Sequence, residues 1–215
     1  MIVVDIESSG LNMAKCGVWQ IGALDMGTGQ EFIEEARIDD EDEVIEEALR
    51  VIGKTEKELR DKKKQSQKQL IEHFFSWLKR FDERLIAGDN VGFDIYFIQN
   101  KCLKYGIQEK FLDAMGYKGF DLPTLAQIKY REKFGKLKVK EGVNDMGLKN
   151  ILEFCGMKDE RTQLNKGKVV KEGKAHNALE DCRLEAECFS RLLSGKSLFP
   201  EYSKFPIPEN LRSKK

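Results

Sequence analysis

MIVVDIESSGLN, Met1–Asn12, is the stretch that fixes the architecture. Ile2, Val3, Val4 and Ile6 surround Asp5, and Glu7 follows. A continuous apolar run of this kind predicts a strand buried on both faces. Side chains i and i+2 of a strand project to the same side, so Asp5 and Glu7 point together. Two like charges inside a sheet are costly unless something positive stands between them. A hard divalent cation such as Mg²⁺, which takes carboxylate oxygens, is the simplest such partner. Ser8-Ser9-Gly10 has a turn composition and ends the strand. Its backbone N–H groups lie beside the expected ion, where a phosphate could sit. Taken alone, the stretch reads equally well as a strand end with solvated acids.

The 215 residues suffice for one sizeable domain with its own core, or a domain with appendages. The 37 basic and 37 acidic residues cancel, so overall charge singles out no partner. Their distribution says more: residues 1–50 hold 13 acids against Lys15, Arg37 and Arg50, a net of −10, which leaves the remainder at +10. The five cysteines are odd in number and form no C-x-x-C pair. Free thiols in a reducing compartment, and hence a cytoplasmic location, are expected. No signal peptide and no apolar run long enough to cross a bilayer is visible, so no membrane partner is expected. The first strand starts directly after Met1, which leaves little room for a targeting segment.

Cys16–Met26 reads as a second strand, Gly27-Thr28-Gly29 as a hairpin turn and Gln30–Ile38 as a third strand, an antiparallel meander. The five acids Asp39–Glu43 read as a solvated loop leading into short helices over 43–52 and 55–63, the latter with Thr55 and Glu58 in capping-box spacing. Gln65–Glu83 is amphipathic through Leu70, Phe74, Trp77, Leu78 and Phe81, with His73 on its face. Leu85–Gly88 is a fourth strand. Asp94–Tyr105 follows as a helix with Ile95, Phe97, Ile98 and Leu103 inward. Tyr117–Asp121 makes a fifth strand and Leu122–Phe134 a helix with Pro123 in its first turn. Gly135–Asn144 reads as a basic linker, Met146–Cys155 as a helix stopped by Gly156, and Lys158–Ala175 as a lysine-rich loop. His176–Leu193 opens the last helix, with Asn177 at its N-cap. The tail, with Pro200, Pro206 and Pro208, is expected to be extended. Strands first and then strands alternating with helices predict an α/β layer fold with a mixed sheet, its site at the carboxyl ends of the parallel strands.

Two further acids occupy comparable places. Asp94 lies at a strand–turn–helix junction within NVGFDIYFI, and Asp181 lies in the first turns of the last helix. Four carboxylates converging on one point carry too much charge for a core without metal. Two cations about 3.5–4 Å apart would balance them and provide the arrangement used for phosphoryl displacement. His176, at a fixed spacing from Asp181 in a chain with two histidines, suits a proton acceptor near neutral pH.

DIESSGL (Asp5–Leu11), NVGFD (Asn90–Asp94) and HNALED (His176–Asp181) resemble, in order, the three motifs of the DEDDh group of 3′→5′ exonucleases. That group includes the proofreading subunit of the bacterial replicative polymerase, RNase T and oligoribonuclease. The sister group places Tyr four residues before the final Asp, where this chain has Asn177. GLKNILEFCGM (Gly147–Met157) is similar to the family's short helix before the third motif. The resemblance covers residues 1–194. It implies an RNase H-like three-layer fold with a five-stranded mixed sheet flanked by helices, in an exonuclease domain over 1–195 followed by an extended tail over 196–215. It implies Asp5, Glu7, Asp94 and Asp181 as ligands of two divalent cations, Mg²⁺ or Mn²⁺, with Asp5 bridging them, and His176 as general base. Ser8, Gly10, Leu11 and Asn90 are implied nucleic-acid contacts, with Leu11 wedged against the terminal base. Phe93 is read as core. The implied reaction releases nucleoside monophosphates from 3′ ends of single-stranded DNA or RNA. RNA processing is one alternative. A nucleic-acid-binding or polymerase-associated module is another, from a different class. Either a homodimer or a polymerase partner is compatible with the sequence. Two departures stand out: Ser8-Ser9 where many relatives carry Thr, and Asp89 where many carry His, so the resemblance does not carry a nucleic-acid contact over to position 89.

Residues 129–174 hold 13 Lys or Arg against 7 Asp or Glu. Lys129, Arg131, Lys133, Lys136, Lys138 and Lys140 cluster, and Lys166, Lys168, Lys171 and Lys174 lead to His176. These lysines suit a phosphate backbone contacted without sequence reading, or simply a solvated loop.

Overall fold

The computed structural model of the protein describes residues 1–165 and 168–212. β1 (Ile2–Ser8) lies at the centre of a five-stranded sheet with β2 (Val18–Asp25), β3 (Glu31–Glu35), β4 (Ile86–Gly88) and β5 (Gly119–Asp121), in the order β3-β2-β1-β4-β5. β1–β2 and β2–β3 are antiparallel, while β1–β4 and β4–β5 are parallel. The mixed sheet expected from the strand pattern is therefore present.

β1 explains why its sequence looks apolar throughout. Ile2, Val4 and Ile6 enter one core layer, and Val3 enters the other. The first layer is supplied by α3 (Gln67–Leu78), α4 (Gly92–Lys104) and α5 (Gln108–Ala114). The second is supplied by α6 (Leu122–Phe134), α7 (Leu148–Phe154) and α8 (Ala178–Ser194). Two shorter helices, α1 (Glu46–Ile52) and α2 (Glu56–Leu59), close a small third cluster over Trp19 and Ile38. The capping boxes at Thr55/Glu58 and Ser66/Gln69 start α2 and α3, and Asn177 caps α8 through the N–H groups of Leu179 and Glu180.

α8 crosses the sheet closely enough to require glycine beneath it. A Cβ on Gly22 would stand 2.4 Å from the carbonyl carbon of Ala178. Gln20 locks that crossing, its Oε1 accepting from the Ala178 N–H at 2.9 Å. The start of α8 is thereby pinned over the face of β1 that carries Val3, Asp5 and Glu7.

Several expectations need correction. Leu103 is not inward but 57% exposed, because the apolar stripe of α4 continues from Ile98 to Cys102 one turn on. The linker 135–144 contains a tight hairpin, β6 (Val139–Lys140) and β7 (Val143–Asn144), turned by Glu141 and Gly142 at positive φ. The loop 158–175 is largely a hairpin as well, β8 (Gln163–Asn165) with β9 (Lys168–Lys171), closed at its base by the Thr162 N–H to Lys174 carbonyl bond of 2.8 Å. β9 is mostly exposed, so no apolar alternation marks the strand. Lys166 lies outside the described residues. The tail is not extended. It turns through short 3₁₀ segments at Pro200–Tyr202 and Glu209–Leu211, and Leu198, Phe199, Tyr202, Phe205, Ile207 and Leu211 pack on the second core layer. Arg191 ties it down from within the core, donating to the Tyr202 carbonyl at 2.9 Å. No helix among the described residues is long and apolar enough to cross a membrane.

Candidate active site

Asp5 and Glu7 sit opposite Gly22 and Gln20 in the β1–β2 register, on the strand face that α8 covers. Asp181, in the first turn of α8, is carried to them by that crossing. Asp94 reaches the same place from the first turn of α4, where its Oδ1 accepts the Ile6 N–H at 3.0 Å. Glu7, Asp94 and Asp181 are all buried. The two acids of β1, the acid after β4 and the acid of the last helix therefore meet, as the motif spacing implies.

The charges crowd one another. Burial raises the Asp5 carboxyl well above the usual range, and Asp94, Glu185, Glu7 and Asp181 push it further. Burial followed by Asp181 lifts Glu7 to about 8, against the opposing pull of His176 and Arg161. Asp94 is also raised well above its ordinary value by burial, although the Ile6 N–H favours its charged form. Glu7 Oε1 and Asp181 Oδ1 are buried with no hydrogen-bond partner among the described residues. Single ligand atoms from Glu7, His176 and Asp181 lie within 4.8 Å of one another. Orphaned, mutually repelling oxygens with a nearby imidazole fit a hard divalent cation.

His176 enters at the α8 N-terminus, its backbone N–H donating to the Val51 carbonyl at 2.9 Å. Its Nε2 lies 2.8 Å from the Thr162 carbonyl. A carbonyl only accepts, so Nε2 carries the hydrogen and Nδ1 is the nitrogen that gains or loses a proton. Nδ1 faces Asp181 Oδ2 at 3.4 Å. Burial lowers the affinity of His176 for that proton, but Asp181 outweighs it and the net shift is upward.

Four residues at the site lie outside the motif assignments. Glu185 stands one helical turn after Asp181 and is buried, its Oε2 accepting the Asp89 N–H at 3.1 Å. Burial and then Asp89 raise its carboxyl well above the ordinary value. Asp89 itself is lifted to about 7, chiefly by burial. Arg161 donates through Nη1 to Asp181 Oδ2 at 2.8 Å, and through Nε and Nη2 to Asp159 at 3.0 and 3.1 Å. Glu185 was legible as the i+4 companion of Asp181 on one helix face. No sequence signal marks Asp159 or Arg161; Arg161 reaches Asp181 across 20 residues of chain, and Asp159 holds Arg161.

These groups line a cleft of about 740 Å³ that includes Asp5, Asp89, Phe93, Asp159, Arg161, His176, Asp181 and Glu185. Beside it lies a more apolar hollow of about 180 Å³ walled by Ile6, Glu7, Ser8, Gly10, Leu11, Ile45, Val51 and Phe93. Leu11 and Phe93 border both, and Leu11 is 72% exposed. Phe93 is thus both core, against Phe97, and wall of the site. Ser8 turns its hydroxyl to the Gly10 carbonyl at 2.8 Å, bracing the turn. Asn90 is exposed at a positive φ of 53° and borders neither hollow. Of the basic segment, Lys140 and Lys149 reach the rim of the larger cleft.

A family model described as RNase_T, exonuclease, matches residues 2–189. No curated protein matches the chain. Among solved structures, the zinc-bound form of E. coli exonuclease I with single-stranded DNA superposes with a TM-score of 0.61 at 16% identity, over 86% of this chain and 38% of that one. Exonuclease I in its apo form gives 0.67 at 16% identity, over 91% and 42%. Cell-death related nuclease 4 gives 0.60 at 15% identity, over 92% and 64%. The chain therefore spans about two fifths of the length of the exonuclease I chains it matches.

Proposed function

The chain belongs to the RNase T exonuclease family, and on that premise we propose that it is a metal-dependent 3′→5′ exonuclease of single-stranded nucleic acid. The reading is carried by one observation: Asp5, Glu7, Asp94 and Asp181, from three separate motifs, crowd one another beside His176, and Glu7 Oε1 and Asp181 Oδ1 have no partner among the described residues. Asp5, Glu7, Asp94 and Asp181 would hold the ions, and Asp5 lies within reach of the charges of Asp94, Glu185, Glu7 and Asp181. Two divalent cations, Mg²⁺ or Mn²⁺, supply when bound the charge that activates the attacking water and stabilises the leaving oxygen.

The chain's own groups do the rest. His176 takes the water proton on Nδ1, because the Thr162 carbonyl holds the hydrogen of Nε2. The water oxygen bonds to the terminal phosphorus, and the bond from phosphorus to the neighbouring 3′ oxygen breaks, releasing a nucleoside 5′-monophosphate. Leu11, Ile45 and Phe93 offer apolar surface for the terminal base, beside the turn formed by Ser8 and Gly10. Asn90 acts outside that hollow, so its contact with nucleic acid would be to a more distant part of the strand. Exonuclease I, which shares the fold, is seen with single-stranded DNA, so DNA is the first substrate to offer. Five free, buried thiols suit a cytoplasmic location.

The test uses 5′-labelled DNA and RNA oligonucleotides of matched sequence, with Mg²⁺ or Mn²⁺ and with EDTA. A ladder shortening from the 3′ end in metal alone is expected. Cleavage that persists in EDTA refutes the mechanism. Oligonucleotide binding with no product in either ion favours the binding-module reading.

A further inference from the structure

Arg161 belongs to none of the three motifs, yet its guanidinium lies among the carboxylates, 13% exposed. Asp159 grips one edge of it. Nε donates to Asp159 Oδ1 at 3.0 Å and Nη2 to Oδ2 at 3.1 Å. The Arg161 backbone N–H donates to the same Asp159 Oδ1 at 3.0 Å. This fork fixes the plane of the guanidinium without help from α8. The remaining corner, Nη1, points into the cleft and rests on Asp181 Oδ2 at 2.8 Å.

A cation held by the partnerless Asp181 Oδ1 would repel the guanidinium that rests on Oδ2 of the same carboxylate. Asp181 Oδ2 already faces both Arg161 and His176, while its Oδ1 has no partner. Asp159 keeps the Nε and Nη2 edge paired, but Nη1 would then need another acceptor. Single-stranded nucleic acid brings one of the right charge and shape, a phosphodiester with two non-bridging oxygens. We propose that Arg161 is a substrate-binding catalytic residue held in reserve on Asp181, whose Nη1 moves to a non-bridging oxygen of the 3′-terminal phosphodiester when the metal sites fill. The assignment rests on the exonuclease reading above. It gives the hairpin base at 159–162 two tasks, since Thr162 also holds His176.

The experiment compares wild type, Arg161→Gln and Arg161→Lys. Mn²⁺ alone is titrated by calorimetry. A fluorescent dT oligonucleotide is then titrated in Ca²⁺, with and without a methylphosphonate at its last linkage. In Arg161→Gln, Mn²⁺ binding is expected to be unchanged or tighter, because a competitor for Asp181 is gone. Oligonucleotide binding should weaken by about 10- to 100-fold, the worth of a charge-assisted hydrogen bond. The methylphosphonate should penalise wild type and add little further penalty in the variant. Arg161→Lys keeps the charge without the fork and should fall between, and it carries the test if Arg161→Gln does not fold. Equal methylphosphonate penalties in wild type and both variants overturn the proposal. So does a loss of Mn²⁺ affinity in parallel with oligonucleotide affinity, which marks a purely structural arginine. Wild type that binds in this arginine-dependent way but releases no mononucleotide overturns the exonuclease reading and the catalytic role with it, and leaves only the phosphate contact of Arg161 standing.

Discussion

Asp42 and Asp181 are both buried carboxylates, 4% and 3% exposed, in opposite kinds of surroundings. Around Asp42 every oxygen is answered. Lys101 donates to Oδ1 at 2.9 Å and Lys104 at 3.3 Å, while Gln67 and the Asp39 N–H donate to Oδ2 at 2.7 and 2.9 Å. Around Asp181 acids outnumber cations, and one oxygen of Asp181 and one of Glu7 are left without a donor. The first arrangement is complete as it stands and joins the acidic 39–43 segment to α4. The second is complete only with something added. A buried acid by itself says little; whether its lone pairs are satisfied separates a structural cluster from a site.

The comparison breaks most visibly at Asp5. Asp5→Asn removes one central charge and is expected to lower cleavage on the order of 10³-fold or more. The metal-free protein should be no less stable, since a mutual repulsion has been relieved. His176→Ala should cost about 10²–10⁴ in rate, the range for a general base. If Asp5→Asn unfolds the protein while cleavage per folded molecule holds, the two regions are alike and the site reading fails. The mirror experiment is Lys101→Ala. It leaves Asp42 buried without its principal cation and should cost about 3–5 kcal/mol of stability in a urea titration. Cleavage by the folded fraction should be unaltered, because Lys101 answers Asp42 and lines neither hollow of the site.

Both regions were partly legible in the sequence. Asp5 and Glu7 share a face because strands alternate, and His176 and Asp181 share the start of one helix. Those facts are local, and local facts can be read from spacing. The Asp159–Arg161–Asp181 chain is not local. It depends on how the 163–171 hairpin folds over the cleft, and the largely exposed β9 shows no periodicity. The tail misled for a related reason: its prolines suggest extension, while the apolar residues between them, from Leu198 to Leu211, are scattered without a repeat and find the core only in three dimensions. The Lys101–Asp42 pair was equally hidden, because a lysine inside an otherwise apolar helix stripe reads as solvent-facing.

The subtlest expected difference is the sign of the pH dependence. Glu7 rises from 4.5 to about 8 in the fold, and Asp89 from 3.8 to about 7, each mainly through burial. A carboxyl whose folded value is raised holds its proton in the native state after the unfolded chain has lost it. Its stabilising contribution is full below the unfolded value and is lost as pH rises through the folded one. The metal-free protein should therefore weaken between about pH 4 and about pH 8. Asp39 behaves oppositely: burial opposes ionisation, but hydrogen bonds from Lys104 and Tyr105 prevail and hold it below 3.8. Its contribution is present above the unfolded value and is lost as pH falls through the folded one. Urea midpoints in EDTA from pH 3 to 9 should show both slopes. Glu7→Gln should flatten the upper one and Asp39→Asn the lower. Mn²⁺ should remove the upper slope alone, because a cation answers the ionised carboxylates that a proton otherwise neutralises. A metal-free protein that gains stability from pH 5 to 8 would show that the cleft acids are already satisfied, and the contrast with Asp42 would disappear.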